Sequence, residues 1–258
     1  MTLADLDIGG ADIHILFGLM NPPLTLTDFL NRRVERLEDI AQAPARPFRP
    51  DADSRHRGYA RDRQHALCEK KRLIRHLKNL QSDVVIVDIG AGTSYLELDF
   101  ISMADHHVAV ATPDPTSVLD LYRFIKLAAI RRVLVSILAR GAMADTLSDR
   151  DFCSVEEVRE VAGETDEASR VVAEPSLRTF HPMLILNRLS GRAHVNVTAL
   201  KTLPTEYIDG DLTLPGEIPD DPAMERAVRG YLPVADREPA ALTAIAEALL
   251  TRMASPAS

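Results

Sequence analysis

Asp83-Val-Val-Ile-Val-Asp-Ile-Gly-Ala-Gly-Thr-Ser94 sets the fold class by its pattern. Four β-branched residues, Val84 to Val87, run together without polar alternation, which predicts a strand buried on both faces of a parallel sheet. The strand closes on Asp88 and turns through Gly90 and Gly92. Glycines at such a turn let backbone N–H groups come close to an anion, and the acid can hold a metal ion or a sugar hydroxyl. Two chemistries fit this outline. In one, Asp88 serves Mg²⁺ beside a nucleotide phosphate; in the other, the turn is the D-x-G-x-G-x-G loop of a methyltransferase. Ser94 stands where the third glycine of that loop would fall.

Composition sets the outer limits. The 258 residues, 46% apolar and 26% charged, suit a single large α/β domain spanning 1–258. No apolar run approaches the roughly 20 residues of a membrane span, and the first residues are acidic rather than basic and then apolar. Cys68 and Cys153 form no metal or redox spacing, which with these features predicts a cytoplasmic protein. A net charge of −8 argues against a surface that coats nucleic acid broadly.

Outward from the central stretch, strands alternate with helices. Met1 to Asp7 predicts an apolar strand running into Asp5-Leu-Asp-Ile-Gly-Gly10, followed by a short helix stopped by Gly18. Leu26, Phe29, Leu30, Val34, Leu37 and Ile40 recur at helical spacing, with Thr25 or Thr27 as cap. Residues 43–60 carry three prolines and no apolar period and predict a flexible loop. The next helix carries an apolar face, including Leu73 and Leu77, within a locally basic stretch, Arg55 to Lys78; its cations form a solvated face or a patch for phosphate, nucleic acid or a partner. Further expectations are a helix from Leu96 to Met103 and a second fully apolar strand from Val108 to Ala111. A buried helix from Val118 to Leu138, N-capped by Ser117 with Asp120, and a capping box at Ser154-Val-Glu-Glu157 follow. Strands at Pro182 to Asn187 and Leu212 to Ile218 and a closing helix from Pro239 to Met253 complete the set. This order predicts a doubly wound, mostly parallel α/β sheet with helices on both faces and ligands at the strand C-termini. The strand ends there are Asp5, Asp7, Asp88, Gly92, Thr112, Asn187 and Asp220 or Asp221.

Alternative chemistries, a SAM-dependent methyltransferase among them, fit less well on particular residues. A receiver domain needs a Lys-Pro after a late strand, which this chain lacks. A methyltransferase needs its third glycine and an acid closing the next strand; here that strand closes in Ala-Thr-Pro, with only Asp114 beyond it. Several carboxylates beside glycine turns suit Mg²⁺, which takes few protein ligands and completes its shell with water and phosphate oxygens.

Taken in order, the motifs resemble those of the MinD/ParA family of P-loop ATPases, and of its FlhG-like bacterial branch in particular. Asp5-Leu-Asp-Ile-Gly-Gly-Ala-Asp-Ile-His14 to Gly18 is similar to the family's D-x-D-x-G-x-A-N-x-H-x-x-x-G segment. Asp88-Ile-Gly-Ala-Gly92 resembles its Walker B strand and switch turn, and Thr112-Pro-Asp-Pro-Thr-Ser117 its next strand end. Asn187-Arg188 and Ile218-Pro-Asp-Asp-Pro222 resemble its two adenine-side elements. The resemblance implies ATP and Mg²⁺ as ligands, with Asp7 orienting the attacking water and Asp88 acting on Mg²⁺ through water. It further implies that Asp5 supports the Mg²⁺ and phosphate end, that Gly92 lies near the γ-phosphate, and that Asn187 with Pro219, Asp220 and Asp221 frames the adenine. An ATP-dependent homodimer and a protein partner are implied too. The Ala-rich segment Ala240 to Ser258 has few cations and gives no support for membrane docking.

Two departures stand out. No Gly-Lys pair occurs anywhere, so the P-loop G-x-x-x-x-G-K-[ST] is missing. In the family it lies one helix and part of a strand before the Asp5 segment. The expectation is therefore a chain incomplete at its N-terminus, from a gene model begun at an internal codon, that hydrolyses no ATP as it stands. Without that strand two ladders would be left open, at about 1–3 kcal/mol for each orphaned buried polar group. The second departure is residues 43–60, where relatives have an apolar strand.

Overall fold

The computed structural model describes residues 1–7, 10, 12–17, 19, 21–42, 63–90, 92–138, 152–165, 177, 180–190, 212–230 and 240–254. The expected loop at 43–60 lies outside them. The chain divides into two compact units, one of Met1–Gly92 with Pro222–Arg237 and one of Thr93–Asp221 with Glu238–Ser258.

In the first unit, strand β1 (Thr2–Asp5) pairs in parallel with β2 (Val85–Asp88), Leu3 opposite Ile86 and Asp5 opposite Asp88. Strand β2 is not buried on both faces as its β-branched run predicts. Ile86 is 47% exposed and Leu3, its neighbour on the same face, is 38% exposed. A run of Val and Ile meets the steric demands of a strand whatever covers it; covering needs a second layer, which this face does not have among the described residues.

Helices α1 (Ile13–Leu16) and α2 (Leu26–Leu30) follow. The periodicity from Leu26 to Ile40 predicts one helix, but α2 ends at Leu30 and a separate 3₁₀ turn spans Leu37–Ile40. The break comes at Arg32, whose φ of 57° places it in the left-handed region, where the helical hydrogen-bond ladder cannot continue. Thr25 opens α2, its N–H and hydroxyl both donating to Asp28 Oδ2 at 3.0 Å.

Helix α3 (Arg63–Lys78) holds this corner together. Its Leu73 and Leu77 are buried as expected, and Phe29 of α2 is 0% exposed, a burial that stabilises by about 2–3 kcal/mol. Between the helices sits Glu69, which accepts from Arg32 Nε at 2.8 Å and from Arg72 Nη1 at 3.2 Å. Arg72 also donates to the carbonyls of Phe29, Val34 and Glu35 and lies 4.0 Å over the Phe29 ring. Arg72 therefore leaves the predicted basic face and serves as an internal clamp. Helix α7 (Pro222–Arg229), numbered in chain order, also belongs to this unit.

The second unit contains α4 (Tyr95–Met103), β3 (His107–Ala111), α5 (Pro115–Leu138), α6 (Val155–Thr165), β4 (Pro182–Leu189), β5 (Thr213–Pro219) and α8 (Ala240–Ala254). Its strands form a parallel sheet in the order β3-β4-β5. The alternation of β4 explains the layers. Leu184 and Leu186 join a core with Ile125, Ala129 and Val133 of α5 and Val155 and Val158 of α6. Met183 and Ile185 point to the other face, which α8 covers where its Ile245 packs on Gly216, the register partner of Ile185. A methyl group on Gly216 would run into Ile245 Cγ1, so the close approach of α8 requires glycine there.

Strand β3 departs from its expected burial as β2 does. Val108 and Val110, opposite Met183 and Ile185, are 42% and 60% exposed, while His107 and Ala111 on the core face are buried. Among the described residues β2 is laddered only to β1 and β3 only to β4.

Two caps merit comparison with the sequence. Ser117 is not the cap of α5, which begins at Pro115; its hydroxyl accepts from Thr112 N–H at 3.0 Å instead, and Asp120 pairs with Arg123. Ser154 caps α6 as expected, accepting from Glu157 N–H at 3.1 Å, while Glu157 reaches back to Cys153 N–H at 2.8 Å.

Candidate functional site

The parallel register of β1 and β2 sets the carboxylates of Asp5 and Asp88 side by side at the strand C-termini. The ladder runs on one bond further, Leu6 N–H donating to Asp88 O at 2.8 Å. Asp5 is committed to the backbone: Oδ1 accepts from Asp7 N–H and Oδ2 from Ile13 N–H, each at 3.1 Å. It thereby folds the loop between β1 and α1 back on the strand end.

Asp7 lies in that loop, with Oδ1 accepting from Gly10 N–H at 3.0 Å. Both neighbouring glycines leave it room. A Cβ on Gly10 would sit 3.0 Å from Asp7 Oδ2, and one on Gly90 would sit 3.0 Å from Asp7 Cγ. Gly10 and Gly90 thus approach one carboxylate from two sides.

Asp88 feels this crowding. Burial pushes its carboxyl above the usual range, and the charges of Asp5, Asp12 and Asp7 raise it further. Such a cluster disfavours its own ionisation and favours a cation. Among the described residues no three acids converge as a ready-made metal cage. The donor set fits a hydrated Mg²⁺ held through one or two carboxylates rather than an ion enclosed by protein.

Gly92 is exposed in the loop after β2. Ser94, where a methyltransferase would have glycine, is the N-cap of α4: its Oγ accepts from Leu96 N–H and its hydroxyl donates to the Glu97 carboxylate. The Ser-x-x-Glu spacing carried that signal in the sequence.

The second unit has a cleft of about 300 Å³ at the C-terminal end of its sheet, lined by Thr112, Pro113, Asp114, Arg188, Ser190 and Asp220. Asp220 N–H donates to Leu189 O at 3.0 Å, extending the β4–β5 ladder and fixing the carboxylate near Arg188, whose Nε lies 3.5 Å from Asp220 Oδ1. Arg188 has φ 59°, and Asn187 Oδ1 accepts from its N–H at 2.9 Å. The Asn187 side-chain oxygen is thus engaged locally and the residue does not line the cleft; Pro219 and Asp221 are exposed beside it. Of the residues expected around a base, only Asp220 is in the lining. Arg188 and Ser190 were not singled out as ligands from the sequence, since nothing in an arginine's neighbourhood announces a left-handed backbone.

No family model matches the chain. Among curated proteins it is 30% identical over 131 residues to the antiactivator FleN of Pseudomonas aeruginosa, covering 49% of this chain and 45% of that protein. It is 28% identical over 168 residues to a putative septum site-determining protein MinD of Oltmannsiellopsis viridis, covering 63% and 52%. In sequence the chain is thus similar to FleN and to a MinD-type protein over about half to two thirds of its length. It spans about half the length of these curated MinD/ParA-like relatives. Solved MinD structures share the fold. The cell division ATPase MinD of Pyrococcus furiosus superposes with a TM-score of 0.57 at 18% identity, over 97% of this chain and 86% of that one. MinD of Pyrococcus horikoshii, solved with Mg-ADP, gives 0.56 at 16%, over 100% and 85%. MinD from the Aquifex aeolicus MinC:MinD complex gives 0.56 at 16%, over 98% and 83%. The α/β class read from the sequence is therefore the fold of this chain, shared with the solved MinD structures.

Proposed function

We propose that this chain is the switch domain of a cytoplasmic, ATP-responsive protein that controls the position or number of a cellular assembly. The observation that carries the reading is the Asp7 carboxylate gripped between Gly10 and Gly90, next to the paired ends Asp5 and Asp88. In this reading Asp7 orients the attacking water, Asp88 binds Mg²⁺ through its hydration shell, and Asp5 holds the loop that presents Asp7. Gly92 lies at the γ-phosphate. Asn187, Pro219, Asp220 and Asp221 make the adenine side. When bound, Mg²⁺ supplies charge neutralisation for phosphoryl transfer, in which positioning and electrostatics do most of the work.

The 258 residues contain no Gly-Lys pair, so nothing among them takes the part of the P-loop lysine. We propose that they bind ATP weakly and do not turn it over, and that homodimerisation around ATP needs that element too. The same absence favours a second reading, a noncatalytic module that keeps the fold to bind a protein partner. Steady-state hydrolysis by the chain, with and without Asp7→Ala, tests the first point: turnover that Asp7→Ala abolishes would overturn inactivity. Deleting the gene tests the role, since unchanged number and placement of flagella and division sites would contradict it. If the pseudo-ATPase reading holds, capture of the partner is indifferent to nucleotide and to Asp7→Ala.

A further inference from the structure

We propose that the outer face of α3 is a docking surface for an acidic α-helix of a protein partner, laid antiparallel to it. Lys71, Arg75 and Lys78 are exposed on this helix. At about 100° of turn per residue they fall within about 60° of one another, and the helical rise makes them a single file about 10 Å long. The opposite side of α3 is committed to the fold. Glu69, Leu73 and Leu77 are buried there, and Arg72 is held by the carbonyls of Phe29, Val34 and Glu35. The file of cations is therefore carried on a fixed backbone, which spares the ordering cost of association.

In a chain of net charge −8, the nearby Arg32, Arg33 and Arg36 each have a carboxylate: Glu69 at 2.8 Å, Asp28 at 3.2 Å and Glu38 at 3.6 Å. Lys71, Arg75 and Lys78 have none among the described residues. The helix dipole favours cations in the last turn, which accounts for Arg75 and Lys78, but Lys71 stands about two turns before the end. Charge complementarity calls for carboxylates or phosphates, and the layout selects their carrier. Duplex DNA offers a charge about every 1.7 Å of axis and is held by many cations; one file of three, ending at the negative pole of a helix, meets few of them. A single strand needs aromatic platforms, and His76 is turned inward, edge-on to Phe29 at 5.0 Å. The file holds no apolar residue that could enter a membrane. An antiparallel partner helix with acids at i, i+3 and i+7 meets Lys78, Arg75 and Lys71 in turn. It brings its positive N-terminal end to the C-terminus of α3 and keeps its acids in its own first turns, where they are favoured.

The test is an NMR titration of the isotope-labelled 258-residue chain with a synthetic Ala-based helical peptide carrying Glu at i, i+3 and i+7 from its first turn. Amide shifts should be confined to α3. Binding should be about tenfold tighter than that of a permuted peptide of the same composition whose glutamates point to three sides, the combined effect of three exposed ion pairs. The triple change Lys71→Gln, Arg75→Gln and Lys78→Gln leaves the buried side of α3 untouched and should bring the two peptides to equal affinity. Changing the same three residues to Glu should transfer binding to a peptide with Lys at i, i+3 and i+7. Equal affinity of both Glu peptides for the wild-type chain overturns the proposal, as do shifts that persist in the Gln variant or lie outside α3. A DNA duplex of about 20 base pairs that shifts the same amides at lower concentration than the peptide overturns it in favour of a nucleic-acid surface.

Discussion

Replacing Glu69 by Gln isolates the charge at the centre of the α2–α3 corner. The side chain is 2% exposed and holds two guanidinium groups, Arg32 and Arg72, which are 66% and 15% exposed. Burial by itself would raise the Glu69 carboxyl; the hydrogen bonds from Arg32 and Arg72 outweigh it and hold the carboxyl below its ordinary value. Glutamine keeps the volume and one acceptor. It gives up the charge assistance on the Arg72 bond, about 1.5 kcal/mol, and on the solvated Arg32 bond roughly 0.5 kcal/mol. It also turns an amide donor toward a buried guanidinium, at about 1 kcal/mol. The expected loss is about 3 kcal/mol, at the lower edge of what breaking a buried pair costs. In urea this moves the unfolding midpoint of the first unit down by about 1–3 M. A depressed carboxylate contributes stability that is present above its unfolded pKa and lost as pH falls through the folded one. Wild type and Glu69→Gln should therefore differ at pH 7 and converge in strong acid. A shift below about 0.5 kcal/mol at pH 7 would refute the argument, and would mean that Arg72 is held by its three carbonyls and Phe29 alone.

The other predictions concern both units. Burial and then the Arg132 charge push His107 down to about 4 from 6.5, so it is neutral in the fold; the backbone bond to Ile101 and the Asp105 charge oppose this, and His106 adds to it. The fold keeps its full stability above the unfolded value and loses about 3 kcal/mol as pH falls from 6.5 to 4, a loss that His107→Gln should remove from the urea midpoint profile; parallel profiles would sink this account. Gly216→Ala should lower stability by about 1–3 kcal/mol through its collision with Ile245, and Ile245→Ala in the same chain should cost less than the two single changes added together. Additive losses in thermal melts would show that α8 simply moves away. Asp88 has its carboxyl raised, so it favours the folded state below its unfolded pKa and opposes it as pH rises through the folded one. Asp88→Asn should then melt higher than wild type at neutral pH, and Mg²⁺ should stabilise wild type more than the variant. Equal responses to Mg²⁺ would argue against Asp88 as a metal residue.

Sequence and structure meet differently at the two sites. The Asp5–Asp7 and Asp88 carboxylates and their glycines could be read from the chain because each motif is short and glycine leaves room for a carboxylate to approach closely. What Asp5 does with its oxygens, tying Asp7 and Ile13 N–H groups, depends on how the loop returns to the strand end. At the other cleft Asp220 and the Asn187-Arg188 motif were legible, while the backbone conformation of Arg188 was not. Its left-handed backbone, φ 59°, has no local signature in the sequence.

Burial shows the same division. Periodicity and β-branching are properties of a segment, so the order of strands and helices, the parallel class, the capping of α6 and the apolar faces of α3 and α5 all follow from the chain alone. Whether a strand is covered depends on which other layer reaches it. Ile86, Val108 and Val110 look in sequence like the core residues Leu184 and Leu186, yet they are exposed while those are buried. The sequence by itself determined what each element is and which chemistry its end can carry. Only the tertiary structure decided which faces are covered and which charges face one another, because these depend on packing between segments far apart in the chain.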